Sequence, residues 1–170
     1  RQRQMCIRDS NDGDVLIHGC DDPFLVVPSD FYSTDICDPN STVTMFDDIE
    51  SGFCPLDGYL EILTCYWISS DQCGNKDTFT IFVKFIDLEA PTIECPEDLT
   101  LECGDSTNPA QTGTATGEDS CTDIEFSYED EENFDDPCAI KVIRTWTATD
   151  ECLNQADCEQ IITLLDNTPP

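Results

Sequence analysis

Residues 67–75 read WISSDQCGN, and residues 146–154 read WTATDECLN. The two stretches share a Trp, an Asp, a Cys and an Asn at the same spacing, and one offset of 79 positions (146 − 67) relates them. The match continues without a gap over residues 63–87. Similarity at a fixed offset is the signature of a duplicated module. We therefore predict two domains, 1–87 and 88–170, joined near a Pro-containing linker.

The amino-acid composition indicates in which compartment the protein folds and which classes of partner it can bind. The chain has 12 Cys in 170 residues, 37 acidic against 7 basic residues, and a formal net charge of −30. A large, even number of Cys indicates disulfides formed in an extracellular, oxidising compartment, whereas zinc would need CxxC-type clusters that the sequence lacks. The acidic surface argues against nucleic acid, which needs a basic face. No apolar run reaches the roughly 20 residues of a membrane span, so no transmembrane segment is expected.

The first ten residues, RQRQMCIRDS, differ from the rest of the chain. Arg1, Arg3 and Arg8 are three of its seven basic residues, and MCIRDS resembles adapter-derived sequence. Residues 1–11 are therefore either an arm of the first module or a foreign segment, and both alternatives stay open. The choice affects Cys6, which makes the cysteine count of the first module even.

Strand patterns dominate, and no long helical periodicity appears. Residues 78–86 and 139–149 place apolar side chains on one face of a strand, and shorter stretches at 41–46 and 123–130 alternate in the same way. Short strands between turns rich in Asp, Asn, Gly and Pro predict an all-β fold of two tandem immunoglobulin-like β-sandwich modules.

Three stretches carry a family resemblance: APTIECPEDLTLEC (90–103), TGTATGEDSC (112–121) and VIRTWTATDECLNQADCEQIITLLDNTPP (142–170). They resemble hyalin-repeat (HYR) modules, and more closely the Cys-rich tandem repeats of bacterial surface proteins of the Bacteroidota type. The first module departs from the pattern at Cys65, where the second has Arg144, and at Phe79, where the second has Cys158. The resemblance implies immunoglobulin-like sandwiches on a cell surface or in a matrix, used for adhesion or scaffolding rather than catalysis.

Six Cys in each module permit 15 connectivities, so the cysteine pattern alone selects no pairing. Hyalin-type modules tie the strand that begins CP to the last strand, which implies Cys95–Cys158. The other predicted pairs are Cys121–Cys152, Cys103–Cys138, Cys37–Cys73, Cys20–Cys54 and Cys6–Cys65. An intermolecular bridge is the alternative for the last pair.

Acidic loops raise the question of a structural calcium ion, which takes six to eight oxygen ligands. The candidate ligands are Asp87 and Glu89 at the junction, with Asp71 or Asp150. The sequence has no EF-hand spacing, and charge runs are commonly solvated faces. Calcium and a merely solvated acidic surface therefore both remain open.

The repeated D-x-C-x-N pattern has a simpler interpretation. Asp71 and Asp150 are predicted to bond backbone N–H groups in a turn, as short carboxylates do. Asn75 and Asn154 would support the same turn, because Asn tolerates a left-handed backbone.

Two short motifs are candidate glycosylation sites. Asn40 begins the only N-x-[ST] sequon. Asp105-Ser106-Thr107 resembles the O-glycosylation acceptor of Bacteroidota, which implies Ser106 and Thr107. Such short motifs often stay unmodified.

Catalytic signals are weak. The single His, His18, lies in a strand-like VLIHG segment with no motif around it, so we predict no enzyme. We predict a structural subunit of an extracellular fibre or cell-surface filament, a homo-oligomer in which the N-terminal segment is the candidate strand donated to a neighbour. The alternative is an adhesin module that binds a glycan or a protein. Trp67 and Trp146 are expected in the cores rather than in a binding platform.

Overall fold

The computed structural model describes residues 13–20, 42–136 and 138–167. The chain divides into two compact units, residues 1–87 and 88–170, here called module 1 and module 2. Strands account for most of the secondary structure, and the predicted all-β, immunoglobulin-like fold is confirmed. Within the described ranges, no helix has the length and apolar character that a bilayer crossing requires.

Module 1 is built on a four-stranded sheet. Its described elements are β1 Asp14–Gly19, β2 Thr42–Ser51, α1 Cys54–Asp57, β3 Glu61–Ser70 and β4 Lys76–Ile86. The strand order is β1-β4-β3-β2; β1 runs parallel to β4, and the other pairs are antiparallel. This order places β1 and β2 at the two edges of the sheet.

Module 2 repeats this arrangement. Its described elements are β5 Leu99–Glu102, α2 Pro109–Thr112, β6 Ile124–Asn133, β7 Ala139–Asp150 and β8 Gln155–Leu165. The order β5-β8-β7-β6, with β5 parallel to β8, is the order of module 1 strand for strand. The segments before β5 and around α2 form the opposing layer, where Glu94 and Thr116 make an isolated antiparallel bridge.

The duplication predicted from sequence is confirmed by register as well as by order. Strand β4 covers residues 76–86 and β8 covers residues 155–165, so the 79-residue offset superimposes them end to end. Trp67 pairs with Phe79 in module 1, and Trp146 pairs with Cys158 at the matching position of module 2. The two modules therefore share one backbone plan with different side chains.

The core of module 1 is apolar. Cys65, Trp67 and Ile81 are buried, and the rings of Trp67 and Phe79 lie 5.8 Å apart between centroids. Four further side chains pack against this cluster: Leu16, Val43, Met45 and Leu63. Burying an aliphatic or aromatic side chain contributes about 1.5–3 kcal/mol, so alternation along β3 and β4 is enough to fix which face turns inward.

The core of module 2 combines apolar and polar side chains. Trp146, Val142 and Ile162 are buried, and so are Arg144 and Gln160, which pair with each other across β7 and β8. The same two positions of module 1 hold Cys65 and Ile81, also partners across two strands. Both members of this cross-strand pair are therefore apolar in module 1 and polar in module 2.

The structure forms the Cys95–Cys158 disulfide that the resemblance implies, with an S–S distance of 2.00 Å. Cys20, Cys54, Cys121 and Cys152 are also disulfide-bonded. The backbone N–H of Glu151 donates to Thr122 Oγ1 at 3.3 Å. This contact brings together the two segments that a Cys121–Cys152 bond would join.

The predicted Cys103–Cys138 bond is wrong, because both residues carry exposed free thiols. Cys103 N–H donates to Leu165 O, whereas Cys138 O accepts from Asp166 N–H on the other side of β8. A whole strand thus separates the two backbones by about 9–10 Å, beyond the roughly 7 Å that a disulfide can bridge.

Cys20 and Cys54 are each disulfide-bonded, and their predicted pairing with each other stays a prediction. The last two predicted pairs each include a residue that the structure does not describe. Cys73 is an exposed free thiol, which contradicts the Cys37–Cys73 bond, and Cys37 itself lies outside the described residues. Cys65 is fully buried in β3, and Cys6 lies outside the described residues. The Cys6–Cys65 bond therefore stays a prediction.

Candidate interaction surfaces

The two D-x-C-x-N segments form matching turns, β3–β4 in module 1 and β7–β8 in module 2. Asn75 N–H donates to Asp71 Oδ1 at 2.7 Å, and the Asn75 side chain donates to Asp71 Oδ2 at 2.5 Å. The Asp150–Asn154 bonds are 2.8 and 2.7 Å. The turn role predicted for both aspartates is confirmed. Donation by the Asn75 side chain lowers the pKa of Asp71.

The left-handed residue of each turn is not the Asn, and that part of the prediction is wrong. It is the preceding residue, Gly74 with φ 86° in module 1 and Leu153 with φ 68° in module 2. Gly adopts this conformation without steric cost, whereas Leu does not. Leu153 is 64% exposed, so little packing compensates it.

A charged network in module 2 joins β6, β7 and the opposing layer. Arg144 Nε and Nη2 donate to the two carboxylate oxygens of Asp130, both at 2.7 Å. The guanidinium lies 4.4 Å from the Tyr128 ring centroid, a cation–π distance. Ion pairing with Asp130 raises the pKa of Arg144, which stays charged although it is 1% exposed.

The same network holds the opposing layer against the sheet. Arg144 donates to Thr112 Oγ1 at 2.9 Å and to Thr107 O at 2.7 Å. Gln160 Nε2 donates to Glu97 O at 3.0 Å and to Thr112 O at 2.7 Å. These bonds satisfy loop carbonyls that would otherwise be buried without partners. The network therefore has a structural role, and the Arg144 position is where the resemblance places its R-T-W motif.

Each module leaves a long strand at the edge of its sheet. Strands β2 and β6 are ten residues each, and most of their side chains are exposed. An edge strand offers unpaired backbone groups to another strand. Acidic side chains accompany both edges: Asp47, Asp48, Glu50, Glu125, Glu129, Asp130, Glu131 and Glu132.

The outer face of the module 1 sheet, the face opposite Trp67, is unusually apolar. Phe46 and Tyr66 stack there with centroids 5.4 Å apart and planes 14° apart. Phe46 is 44% exposed, and Val15 and Ile17 on β1 are 52% and 58% exposed. The outer face of module 2 instead carries Glu129 and Thr145 as the cross-strand pair that matches Phe46 and Tyr66.

Sequence reasoning missed this apolar face. It assigned the two tryptophans to the cores, which is correct, and found no exposed aromatic platform. The signal was present, because Phe46 and Tyr66 lie one residue from Met45 and Trp67 and so point to the opposite face. Only the cross-strand register shows that the two rings meet.

The structure gives each predicted calcium ligand a position within its own module. Asp71 lies in the β3–β4 turn, Asp150 is buried at the end of β7, Asp87 is buried after β4, and Glu89 is exposed. Both carboxylates of the aspartate turns already accept bonds from Asn, as described above. In module 2, an Asp119 carboxylate oxygen lies within 4.8 Å of one from Asp150.

An open surface cleft of about 400 Å³ adjoins this acidic part of module 2. Its lining residues are Glu89, Ala90, Thr92, Glu118, Asp119 and Ser120. Asp119 Oδ1 accepts bonds from the backbone N–H groups of Cys121 and Thr122 at 2.8 and 3.0 Å. The calcium site stays a prediction.

The other predicted sites have these positions. Ser106 is exposed, Thr107 is half-buried with its carbonyl bonded to Arg144, and Asn40 lies outside the described residues. His18 lies in β1 with its ring 6.2 Å from that of Phe85. Nothing in this geometry assigns a catalytic role to His18.

No protein-family model matches the chain, and no curated protein matches it. Among solved structures, the chain is similar to Drosophila N-cadherin EC1-4 at TM-score 0.37 and 11% identity, covering 92% of this chain and 48% of that one. Human mucin-like protocadherin EC1-2 gives TM-score 0.37 and 11% identity, covering 92% and 98%. The chain thus spans about half the length of the N-cadherin fragment. Likeness at this level identifies no family.

Proposed function

We propose that this protein is a structural, non-enzymatic subunit of an extracellular fibre or cell-surface filament. The observation that carries the proposal is the repetition of one sheet plan in two modules, each with a ten-residue strand open at its edge. An added strand needs only backbone partners, so such edges join subunits readily. The disulfides support an oxidising location, because cytosolic thiols are kept reduced.

Charge controls when the edges can pair. Acidic side chains along β2 and β6 repel a second acidic strand and so suppress indiscriminate edge-to-edge aggregation. A donor strand must therefore bring basic side chains, or divalent cations must neutralise the acids. The predicted donor, residues 1–11, contains three Arg and lies outside the described residues.

Electron microscopy combined with hydrogen exchange tests this proposal. The purified protein should form helical or linear fibres, and samples with and without calcium are compared. Peptides from β2 and β6 should gain protection on assembly, because their edge amides acquire partners. Peptides from the interior strands β3 and β7, already paired on both sides, serve as the internal control. A monomer at high concentration with calcium would contradict the proposal.

A second candidate function is a ligand-binding adhesin module, and the stacked Phe46–Tyr66 pair favours it. Exposed aromatic faces are common in binding sites for sugars and proteins. A glycan and protein array would show saturable binding to one ligand class. Binding should be lost in Phe46→Glu, which installs the residue of module 2, and kept in Leu56→Glu, on the exposed helical turn α1.

Bound calcium and glycans belong to the same proposal. Calcium that stiffens the chain should raise the unfolding temperature, and EDTA should reverse the change. Intact mass would show whether Asn40, Ser106 or Thr107 carries glycan. The resemblance to Cys-rich HYR-like repeats supports these expectations.

A further inference from the structure

The described residues include three exposed free thiols, Cys73, Cys103 and Cys138. Six other cysteines in the same part of the chain are disulfide-bonded: Cys20, Cys54, Cys95, Cys121, Cys152 and Cys158. A protein that forms these bonds folds under oxidising conditions, in which the thiolate of an exposed Cys exchanges with accessible disulfides.

Each free thiol has a bonded counterpart in the other module. The repeat offset relates Cys73 to Cys152. Cys103 N–H donates to Leu165 O at 2.8 Å, and Cys20 N–H donates to Ile86 O, the matching carbonyl, at 3.1 Å.

Cys138 follows β6, as Cys54 follows β2. Cys54, like Cys20 and Cys152, is disulfide-bonded. At these three positions both modules have a cysteine, and the modules differ in which end carries the free thiols.

The free thiol of module 1 lies at the turn before the last strand of its sheet, whereas the free thiols of module 2 lie beside the end of the last strand. Cys73 is in the β3–β4 turn, and β4 runs away from that turn to the point where the chain leaves module 1. We call the turn the leading end of module 1. Cys103 and Cys138 flank Leu165, where β8 ends and the chain leaves module 2, here the trailing end.

We infer that Cys73 of one copy forms a disulfide with Cys103 or Cys138 of a second copy, so that copies are joined covalently, leading end to trailing end. This inference rests on the proposed fibre function and names the bond that would lock the fibre. Cys73, Cys103 and Cys138 are all free thiols in a single copy, so the bond between copies breaks no disulfide of the fold.

Charge disfavours a bond between two trailing ends. Four acidic residues surround the trailing thiols: Glu102, Asp105, Asp135 and Asp136. Asp136 also accepts the N–H of Cys138 at 2.9 Å. Near these thiols the trailing end has one cation, Lys141, whereas Cys73 lies near Asp71, Lys76 and Asp77, so the repulsion is largest between two trailing ends.

The chemistry is thiol–disulfide exchange with a low-molecular-weight disulfide as oxidant. The thiolate of one Cys attacks the small disulfide, forms a mixed disulfide and releases one small thiol. The thiolate of the other Cys then attacks the protein sulfur of that mixed disulfide and releases the second small thiol. Two protein thiols and one disulfide give one protein disulfide and two small thiols.

Mixing two variants tests the bond directly. The variant C103S/C138S keeps only the leading thiol of the three, and C73S keeps only the trailing ones. With oxidised glutathione, the mixture should give a disulfide-linked heterodimer at about tenfold higher yield than the homodimer of C73S alone, since two acidic trailing ends repel each other. Peptide mapping should find Cys73 linked to Cys103 or Cys138, and dithiothreitol should release the monomers.

Several outcomes separate this inference from the proposed function. Oxidised wild-type protein that maps to Cys103–Cys138 or Cys37–Cys73, or variants that each form homodimers as readily as the mixture, would overturn the inference. Fibres of C73S that are seen by microscopy but dissolve in detergent would support both proposals. Cross-linked heterodimers with no fibres in any variant would support the bond and contradict the fibre.

Discussion

Arg144 and Asp130 form a two-point ion pair between neighbouring strands β7 and β6. In module 1 the matching cross-strand pair is Cys65 and Asp47. The aspartate is thus present in both modules, whereas its cross-strand partner is the buried Arg144 in module 2 and the buried Cys65 in module 1. The same position on the inner face of the sheet therefore belongs to an apolar cluster in module 1 and to a charged network in module 2.

Asp130→Asn should destabilise module 2 by about 2–3 kcal/mol, because it leaves the guanidinium of Arg144 buried without its counter-charge. Asp47→Asn is the matched control in module 1. It removes the same group opposite Cys65 and should change stability by less than about 0.5 kcal/mol, as surface substitutions do. Urea unfolding followed by hydrogen exchange of peptides from each module measures both effects. Equal effects in the two modules would contradict a special role for the ion pair.

Gln160→Ile installs the module 1 residue in the core of module 2. The substitution removes both hydrogen bonds to the loop carbonyls of Glu97 and Thr112. Leaving buried acceptors unsatisfied costs about 1–3 kcal/mol each at most, so the unfolding midpoint of module 2 should fall and the opposing layer should exchange faster. Ile161→Val, on the outer face of the same strand, is the control and should leave that layer protected.

Leu153→Gly should stabilise module 2, a direction opposite to that of most substitutions. The gain should be about 0.5–1 kcal/mol, because Gly relieves the left-handed strain but adds freedom to the unfolded chain. Glu151→Gly in the same turn is the control. Its backbone φ is negative, so the change should lower stability. Differential scanning calorimetry would compare the two variants, and a lower unfolding temperature for Leu153→Gly would contradict the strain argument.

Local rules predicted the parts of the fold that one strand or one turn determines. Alternation identified the inward faces of β4 and β7, and the repeated Asp before Cys predicted the two aspartate turns. The same rules could not pair Phe46 with Tyr66 or place Arg144 against Thr107, because these contacts depend on register and on a loop 37 residues away in sequence. They also misplaced Cys103 and Cys138, since no local signal shows that β8 separates them.

Acid should weaken the β3–β4 turn through Asp71. Hydrogen bonds from Asn75, the side-chain amide first among them, hold the pKa of Asp71 below its ordinary value. A depressed pKa means that the carboxylate stabilises the turn above the ordinary aspartate range and loses this contribution as the pH falls below about 4. Asn75→Ala removes the side-chain donor and should raise the pKa of Asp71, which carboxyl NMR titration measures. Asn154→Ala, the same change in module 2, should leave the titration of Asp71 unchanged; an equal shift in both variants would show that the side-chain donor does not set this pKa.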